Sequence, residues 1–323
     1  MKIPILSEAF IAVAVLALAS TAAAQSFPTQ PIRLIAPFPP GGSVDIMARL
    51  IAEPLGNQLS TRIIIDNRSG ASGNIGMEAA ARAAPDGYTL VLNTIPLVTN
   101  QSLFDKLNWD PIKDFAPIGM VATSPHVLVV HNKVPAGKVD DLVRLARASP
   151  GKLSYASAGV GTTFHLCGER FKDSTGTFIL HIPYRGGGPA LLDTLAGQVE
   201  MSFPTLSAAL PHVKAGTLRA LAVTDTTRSS LLPEVPTLRE AGVKDFQFTQ
   251  WLALLAPAGT PPPVVSRLNS ALGNALNARE IRDKFQAQAF AAFPTTPEEA
   301  GRFIAAEVQR FSKLIRTRGI TAN

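Results

Sequence analysis

The sequence predicts an α/β fold with doubly wound, parallel sheets. Hydrophobic residues make up 46% of the 323 residues and charged residues only 17%, which is typical of a folded globular chain rather than of a disordered chain or a coiled coil. Short β-branched segments alternate with helically spaced apolar residues from residue 32 onward. Glycine-rich turns lie between several of these segments, as they do in repeated strand–helix units.

The N-terminal 24 residues have the pattern of a secretory signal peptide. Lys2 precedes the apolar run 9–19, and Ala22-Ala23-Ala24 has the small side chains of a cleavage site. The run is shorter than the ~20 residues that a membrane-spanning helix needs. We therefore expect cleavage after Ala24 and export to the periplasm, with a buried N-terminal helix as the alternative.

The first part of the mature chain shows the alternation of elements. Strands are predicted at residues 32–36, 62–66 and 88–93, with helices at 44–59 and 75–83. Pro54 lies inside the first helix and predicts a kink, which would divide that helix into two pieces. The turn at residues 85–87 ends the second helix, because its proline fixes φ and its glycine permits the reversal.

A second series of strands and helices begins near residue 127. Its strands are predicted at 127–131, 153–156, 178–182, 199–203 and 219–223, and its helices at 139–146 and 163–171. A proline-rich stretch from residue 231 leads to a strand at 250–255, and amphipathic helices follow at 262–276 and 298–315. No repeat of 20–50 residues is present, which argues against a solenoid.

The junctions between strands and helices are the places where a ligand is expected. In open α/β sheets, ligands bind beyond the carboxyl ends of the strands, where helix N-termini present free N–H groups. At the first junction, Gly41 and Gly42 allow a ligand close to the backbone beside Phe38, and Ser43 can donate a hydrogen bond. The alternative is that Ser43 or Asp45 only caps the helix.

The second junction contains Ala71, Ser72, Gly73 and Asn74 in a glycine-dense, polar stretch. It does not match the dinucleotide fingerprint, and the next strand ends at Asn93 where a ribose-binding carboxylate would be expected. We therefore predict no nicotinamide cofactor. The nearby Arg68 is equally compatible with a solvated surface charge.

The third junction provides the most informative polar cluster. Ser157, Thr162 and Thr163 carry three hydroxyls, and Gly159 and Gly161 lie between them at the start of a helix. Such neutral donors can hold a carboxylate without a permanent countercharge. Ordinary helix capping remains the alternative.

Other polar and aromatic residues near the junctions allow two interpretations. Tyr184 and Arg185 follow a strand, and Arg185 could clamp an acid or serve only as a structural or surface charge. His165 and Glu169 are spaced as a metal pair, but a helix-stabilising contact is favoured because no third ligand lies nearby. Trp251 could belong to the core or form a pocket wall.

Several classes of activity have no support in the sequence. There is no G-x-S-x-G elbow, no H-E-x-x-H motif and no Walker lysine, so we predict no catalytic residue, cofactor or metal. The single cysteine, Cys167, permits neither an internal disulfide nor an anchor at the cleavage site. Lys and Arg exceed Asp and Glu by 30 − 24 = 6 without clustering, which argues against nucleic-acid binding. A hydrolase using Ser157 or Ser43 with His165 remains an alternative.

Several spaced motifs in one order carry a family resemblance. They lie at residues 27–35, 37–45, 67–76, 85–90, 184–190, 218–224 and 256–261. Together they resemble the Bug family, the substrate-binding proteins of tripartite tricarboxylate transporters. The resemblance covers essentially the whole chain after the leader.

The resemblance implies a two-lobed periplasmic-binding-protein fold of type II, the Venus flytrap. The first lobe would comprise residues 25–124 and 226–323 and the second residues 125–225, with two strands crossing the hinge near 123–127 and 223–226. The implied ligand is a small carboxylic acid, held by residues 41–43, 71–74 and 157–163. The implied partners are the membrane permease subunits, and the protein is expected to be a monomer. A signalling receptor that uses the same cleft is the alternative to uptake.

Two departures from the family pattern fall at positions expected to face the ligand. Thr94 lies in an Asn-Thr-Ile-Pro-Leu stretch where relatives commonly have small polar residues and a histidine. Thr205 follows Pro204 where an aspartate is usual. Both changes reduce polarity, so they favour a monocarboxylate with an apolar or aromatic body over a ligand with an amino group or several carboxylates.

Overall fold

A computed structural model describes residues 27–244 and 246–320 of the chain. The predicted signal peptide, residues 1–24, lies outside these ranges. None of the helices within them combines the length and the apolar character needed to cross a bilayer.

Eleven strands in the described ranges form two sheets. They are β1 (Ile32–Ala36), β2 (Ile63–Asn67), β3 (Thr89–Asn93), β4 (Phe115–Pro125), β5 (Val127–His131), β6 (Ser154–Ser157), β7 (Leu180–Pro183), β8 (Met201–Ser202), β9 (Leu218–Val223), β10 (Thr249–Pro257) and β11 (Ala291–Ala292). The first sheet has the order β11-β4-β10-β3-β1-β2 and the second the order β7-β6-β8-β5-β9.

Both sheets are mixed rather than wholly parallel. In the first, β1 pairs in parallel with β2 and β3, whereas β10 runs antiparallel to β3 and β4. In the second, β6 is parallel to β7 and β8, and β5 is antiparallel to β8 and β9. The prediction of parallel sheets therefore holds for the strand–helix units and is wrong for the strands that join them.

Ten helices cover the sheets. They are α1 (Ser43–Leu59), α2 (Asn74–Ala81), α3 (Pro96–Leu103), α4 (Val139–Ala148), α5 (Thr163–Thr175), α6 (Gly187–Leu195), α7 (Leu206–Lys214), α8 (Pro262–Asn277), α9 (Arg279–Ala287) and α10 (Pro297–Arg318), within the described residues. A 3₁₀ turn at Ala71–Gly73 precedes α2. Parallel strands with helices on both faces are apolar throughout, and β1 accordingly buries residues on both of its sides.

Helix α1 continues through Pro54 as a single helix, so the predicted division into two pieces is wrong. Proline removes one backbone hydrogen bond. Met47, Ile51 and Leu55 lie on one face on both sides of the proline and are fully buried in the core of the first sheet. Their common packing surface explains why the helix continues past the proline.

The chain passes between the sheets at His126, which separates β4 from β5. The segment at Thr224 runs beside His126: the His126 N–H donates to the Thr224 hydroxyl over 2.9 Å, and the Thr224 N–H donates to the His126 carbonyl over 2.9 Å. Residues 236–238 also lie beside β9, since the Val223 N–H donates to the Pro236 carbonyl and the Leu238 N–H donates to the Val223 carbonyl. We propose that the return crossing lies near Phe248, later than the predicted boundary at 226.

Candidate functional site

Three helices direct their N-termini at one cavity between the two sheets. Helix α1 belongs to the part of the chain that forms the first sheet, whereas α5 and α6 follow β6 and β7 of the second. The residues that line the cavity are Phe38, Gly42, Ser43, Val44, Thr94, Pro96, Ala158, Thr162, Thr163, Phe164, Gly187 and Gln250. The volume of this cavity is about 30 Å³. A ligand must therefore be small, or the two parts must separate to admit it.

The starts of these three helices have backbone donors without side-chain caps. The N-cap residues Gly42, Thr162 and Gly186 make no side-chain cap hydrogen bond. The first N–H groups of a helix have no partner within the helix, and the helix dipole adds partial positive charge there. An anion placed between the three termini would be met by backbone donors from both sides.

A buried side chain from β10 joins two of these helix starts. The Gln250 amide Nε2 donates to Ser43 Oγ over 2.6 Å, and Thr163 Oγ1 donates to Gln250 Oε1 over 3.4 Å. Sequence reasoning placed Gln250 only within a strand and missed it as a site residue. The available signal was a polar side chain followed by the apolar run Trp251–Ala256.

Thr94 supplies an unpaired hydroxyl to the cavity. It is 5% exposed, and its Oγ1 has no hydrogen-bond partner, although its N–H donates to Asn93 Oδ1 over 2.8 Å. A buried hydroxyl without a partner is costly. It is therefore a polar group available to a bound molecule.

The described cavity wall has no charged side chain. Behind it lie His165 and His181, whose rings stack with centroids 4.2 Å apart. Burial lowers the pKa of His165 to about 4, and burial with the neighbouring His165 lowers the pKa of His181 to about 3. Both rings are neutral at neutral pH, so neutral donors alone must hold an anion here.

Ser157, Gly159 and Gly161 shape the third junction without lining the cavity. Ser157 Oγ contacts His181 Nε2 at 2.6 Å and accepts from the Gly159 N–H over 3.2 Å. The Gly161 N–H donates to His165 Nδ1 over 3.2 Å. Because Ser157 is fully buried and bonds to His181, the geometry gives no support to a hydrolytic pair with His165.

The second junction lies against the third across the cleft. The Asn100 amide on α3 donates to the Ser72 carbonyl and to Asn74 Oδ1. Gly73 packs on Phe38, and Gly159 approaches the Ser72 hydroxyl. Ala71, Ser72, Gly73 and Asn74 are thus close to the cavity, and none of them lines it.

Four further predicted site residues also lie outside the cavity wall. They are Gly41, Tyr184, Arg185 and Thr205. Gly41 donates its N–H to Asp45 Oδ2 over 3.1 Å, and the Tyr184 hydroxyl donates to Asp193 Oδ2 over 2.7 Å. Arg185 is exposed, and the fully buried Thr205 precedes α7 and pairs with His126. The fourth junction reaches the cavity through the backbone of Gly187 instead.

The Asp45 carboxylate organises the first junction from outside the cavity. It accepts hydrogen bonds from Arg49, Asn67 and the Gly41 N–H. Burial is the largest single influence and raises the pKa of Asp45, but these hydrogen bonds together lower it below its usual value. Asp45 therefore stays ionised and holds the glycine turn in place.

Trp251 and Cys167 are both buried away from the cavity. Trp251 is 3% exposed, donates Nε1–H to Glu307 and does not line the cavity. Burial raises the pKa of the Cys167 thiol, as expected for a core cysteine. Among the described residues, no group of three His, Cys, Asp or Glu could hold a metal ion.

Comparison with known proteins supports the architecture and the family. The family described as "Tripartite tricarboxylate transporter family receptor" matches residues 47–320. Protein BugT of Bordetella pertussis is 38% identical over 96% of this chain and 95% of its own length.

Two solved structures have closely similar folds. A structure described as a periplasmic transporter is 38% identical and covers 92% of this chain and 100% of its own, with a TM-score of 0.89. Rpa4515 of R. palustris, solved with adipate, is 36% identical and covers 91% and 99%, with a TM-score of 0.89. The predicted two-lobed fold and the Bug-family resemblance are thereby confirmed, as is the expectation of a binding protein rather than an enzyme. The chain belongs to the receptor family of the tripartite tricarboxylate transporters, a family of periplasmic solute-binding proteins.

Proposed function

We propose that this receptor captures a small carboxylate between its two lobes. The observation that carries the proposal is the convergence of three uncapped helix N-termini, from both parts of the chain, on a cavity whose described wall is uncharged. The partial positive charge of the helix N-termini, with no charged side chain in the described wall, suits one carboxylate group. Thr94 and Ser43 add hydroxyls at the same place.

The expected affinity follows from the number of these donors. Hydrogen bonds to a charged group contribute about 1.5–3 kcal/mol each. Three or four of them are opposed by the entropy of association and of closure. A micromolar dissociation constant, about −8 kcal/mol, is the resulting expectation.

The remainder of the wall favours an apolar ligand body. Phe38, Val44, Pro96 and Phe164 contribute apolar side chains. A relative solved with adipate supports a ligand with a hydrocarbon chain next to a carboxylate. We propose an aliphatic or aromatic monocarboxylate, or a diacid whose second group reaches the cleft opening.

The partners and the location are also part of the proposal. We propose that residues 1–24 direct export to the periplasm and that the loaded, monomeric receptor delivers its ligand to the permease subunits of a tripartite transporter. The family assignment supports this role. Mass spectrometry of the exported protein should give a mature N-terminus at Gln25, and a retained leader would contradict it.

A thermal-shift screen tests the ligand class. The probes are hexanoate, benzoate and adipate, with hexanamide as the uncharged match of hexanoate. A ligand at 100 times its dissociation constant stabilises the folded state by about 2.7 kcal/mol. We expect at least one acid to raise the unfolding temperature and the amide to have no effect. Equal shifts with acid and amide, or no response to any acid, would overturn the proposal.

A further inference from the structure

We propose that Gln250 determines the specificity of the site for an anionic group, by setting which hydroxyl hydrogen points at the ligand. This inference rests on the proposed function and deepens it. Gln250 is 2% exposed and lines the cavity. It touches the first residue of α1 and the first residue of α5.

The position of Gln250 is not explained by packing. It precedes residues 251–256, which are all buried and apolar, and it lies next to the core of the first sheet. A buried carboxamide costs free energy unless its donors and acceptors are used. A methionine or leucine would meet the packing requirement without that cost, so the reason for an amide lies in its two hydrogen bonds.

Counting donors and acceptors shows what the amide does. A hydroxyl has one hydrogen to donate. Ser43 Oγ accepts from Gln250 Nε2, so the hydrogen of Ser43 stays free. Thr163 donates its own hydrogen to Gln250 Oε1. An amide satisfies one hydroxyl as a donor and the other as an acceptor, and therefore leaves one hydroxyl hydrogen for a ligand.

A carboxylate at position 250 would reverse this arrangement. It has no hydrogen to donate, so Ser43 and Thr163 would both turn their hydrogens toward it. It would also place a negative charge in a wall whose described residues include no cation. Glutamate has nearly the shape of glutamine, so the change isolates charge and donor direction from packing.

The experiment measures dissociation constants for hexanoate, benzoate and adipate by calorimetry. At pH 7.5, Gln250→Glu should weaken binding of every acid that the wild type binds by at least 100-fold. The loss should shrink as the pH is lowered to 5, because a protonated glutamic acid again provides one donor and one acceptor. The control is Gln286→Glu, which adds the same charge at an exposed position of α9 and should leave affinity unchanged.

A double-mutant cycle separates positioning from a structural role. Gln250→Met and Ser43→Ala should each weaken binding about tenfold. If Gln250 acts through Ser43, the double variant should lose much less than the 100-fold expected for independent sites. Additive losses, or Gln250→Glu binding within threefold of the wild type, would overturn the inference while leaving the proposed function intact. If the wild type binds none of the three acids, both the inference about Gln250 and the proposed function are wrong.

Discussion

The backbone of Gly188 lies against the carbonyl oxygen of Pro40, so close that a β-carbon on Gly188 would lie 2.5 Å from that oxygen. Gly188 is in the first turn of α6, and Pro40 precedes α1 in the other part of the molecule. The backbone of Gly188 does not have a positive φ, unlike that of many other glycines in the protein. The contact between the two parts, rather than the local backbone, therefore requires glycine here.

Gly188→Ala should weaken ligand binding at least tenfold without destabilising the unliganded protein. The added methyl group fits the helix but collides with Pro40 when the lobes close. Calorimetry with an acid found in the thermal-shift screen measures the affinity, and urea unfolding measures the stability.

The control for this variant is Gly273→Ala in α8, where no atom outside the neighbouring helix backbone lies within 4 Å of the new methyl group. Alanine at Gly273 should stabilise the helix by about 1 kcal/mol and leave affinity unchanged. Wild-type affinity in Gly188→Ala would show that the close contact with Pro40 is not needed for binding.

Thr99→Val should weaken binding about fivefold to tenfold. The Thr99 hydroxyl on α3 donates to the Gly161 carbonyl over 2.9 Å across the cleft, and valine keeps the shape without the donor. A typical hydrogen bond contributes about 1 kcal/mol. The matched control is Thr194→Val, whose buried hydroxyl bonds only within α6 to Ala190. An equal loss of affinity in both variants would contradict a specific role of the bond across the cleft.

Stability should fall between about pH 6.5 and pH 4 because of His126. Burial is the dominant cause that lowers the pKa of this fully buried residue to about 4, from 6.5. The unfolded chain therefore binds a proton before the folded chain does. The stabilisation is complete above pH 6.5 and is lost as the pH falls, by about 3 kcal/mol from this residue.

Urea unfolding at pH 7 and pH 4.5 tests this pH dependence. His126→Asn retains a donor for the Phe203 carbonyl and removes the titrating ring, so its stability should change less between the two values. His165 and His181 contribute in the same direction and remain in the variant. His212→Asn on α7 is the control. An unchanged pH dependence in His126→Asn would contradict the assignment.

Trp251→Phe should destabilise the fold by about 1–3 kcal/mol and leave ligand affinity unchanged. The indole Nε1–H donates to the buried carboxylate of Glu307 over 2.9 Å, and phenylalanine leaves that oxygen without this donor. Arg310 still holds the other oxygen of Glu307. Urea unfolding and calorimetry measure the two quantities. A loss of affinity with unchanged stability would instead place Trp251 at the ligand.

The strand–helix units could be predicted because their periodicity is local. Residues 127–131 have the predicted bounds, and the helix starts at Ser43 and Thr163 follow from glycine and hydroxyl clusters just after strands. Strand β4 was missed because Pro117 and Pro125 are typical of loops or sheet edges. The antiparallel pairing of β10 was missed because a run of apolar residues predicts a buried strand but does not indicate its direction in the sheet.

The candidate site was predictable in its loops and only partly in its side chains. Ser157 ends a strand beside the cleft, yet its contact with His181 turns it away from the cavity, and that contact joins residues 24 apart in sequence. Gln250 is 207 residues from Ser43 and 87 from Thr163. Such distant pairings depend on how the two sheets assemble, which no local spacing indicates.

The uncharged wall described around the cavity has a consequence for the energetics of uptake. None of its described side chains titrates near neutral pH. Loading should therefore exchange no protons with the medium, and calorimetric heats should be the same in buffers of different ionisation enthalpy. Any coupling of uptake to an ion gradient would then arise after capture, at the membrane.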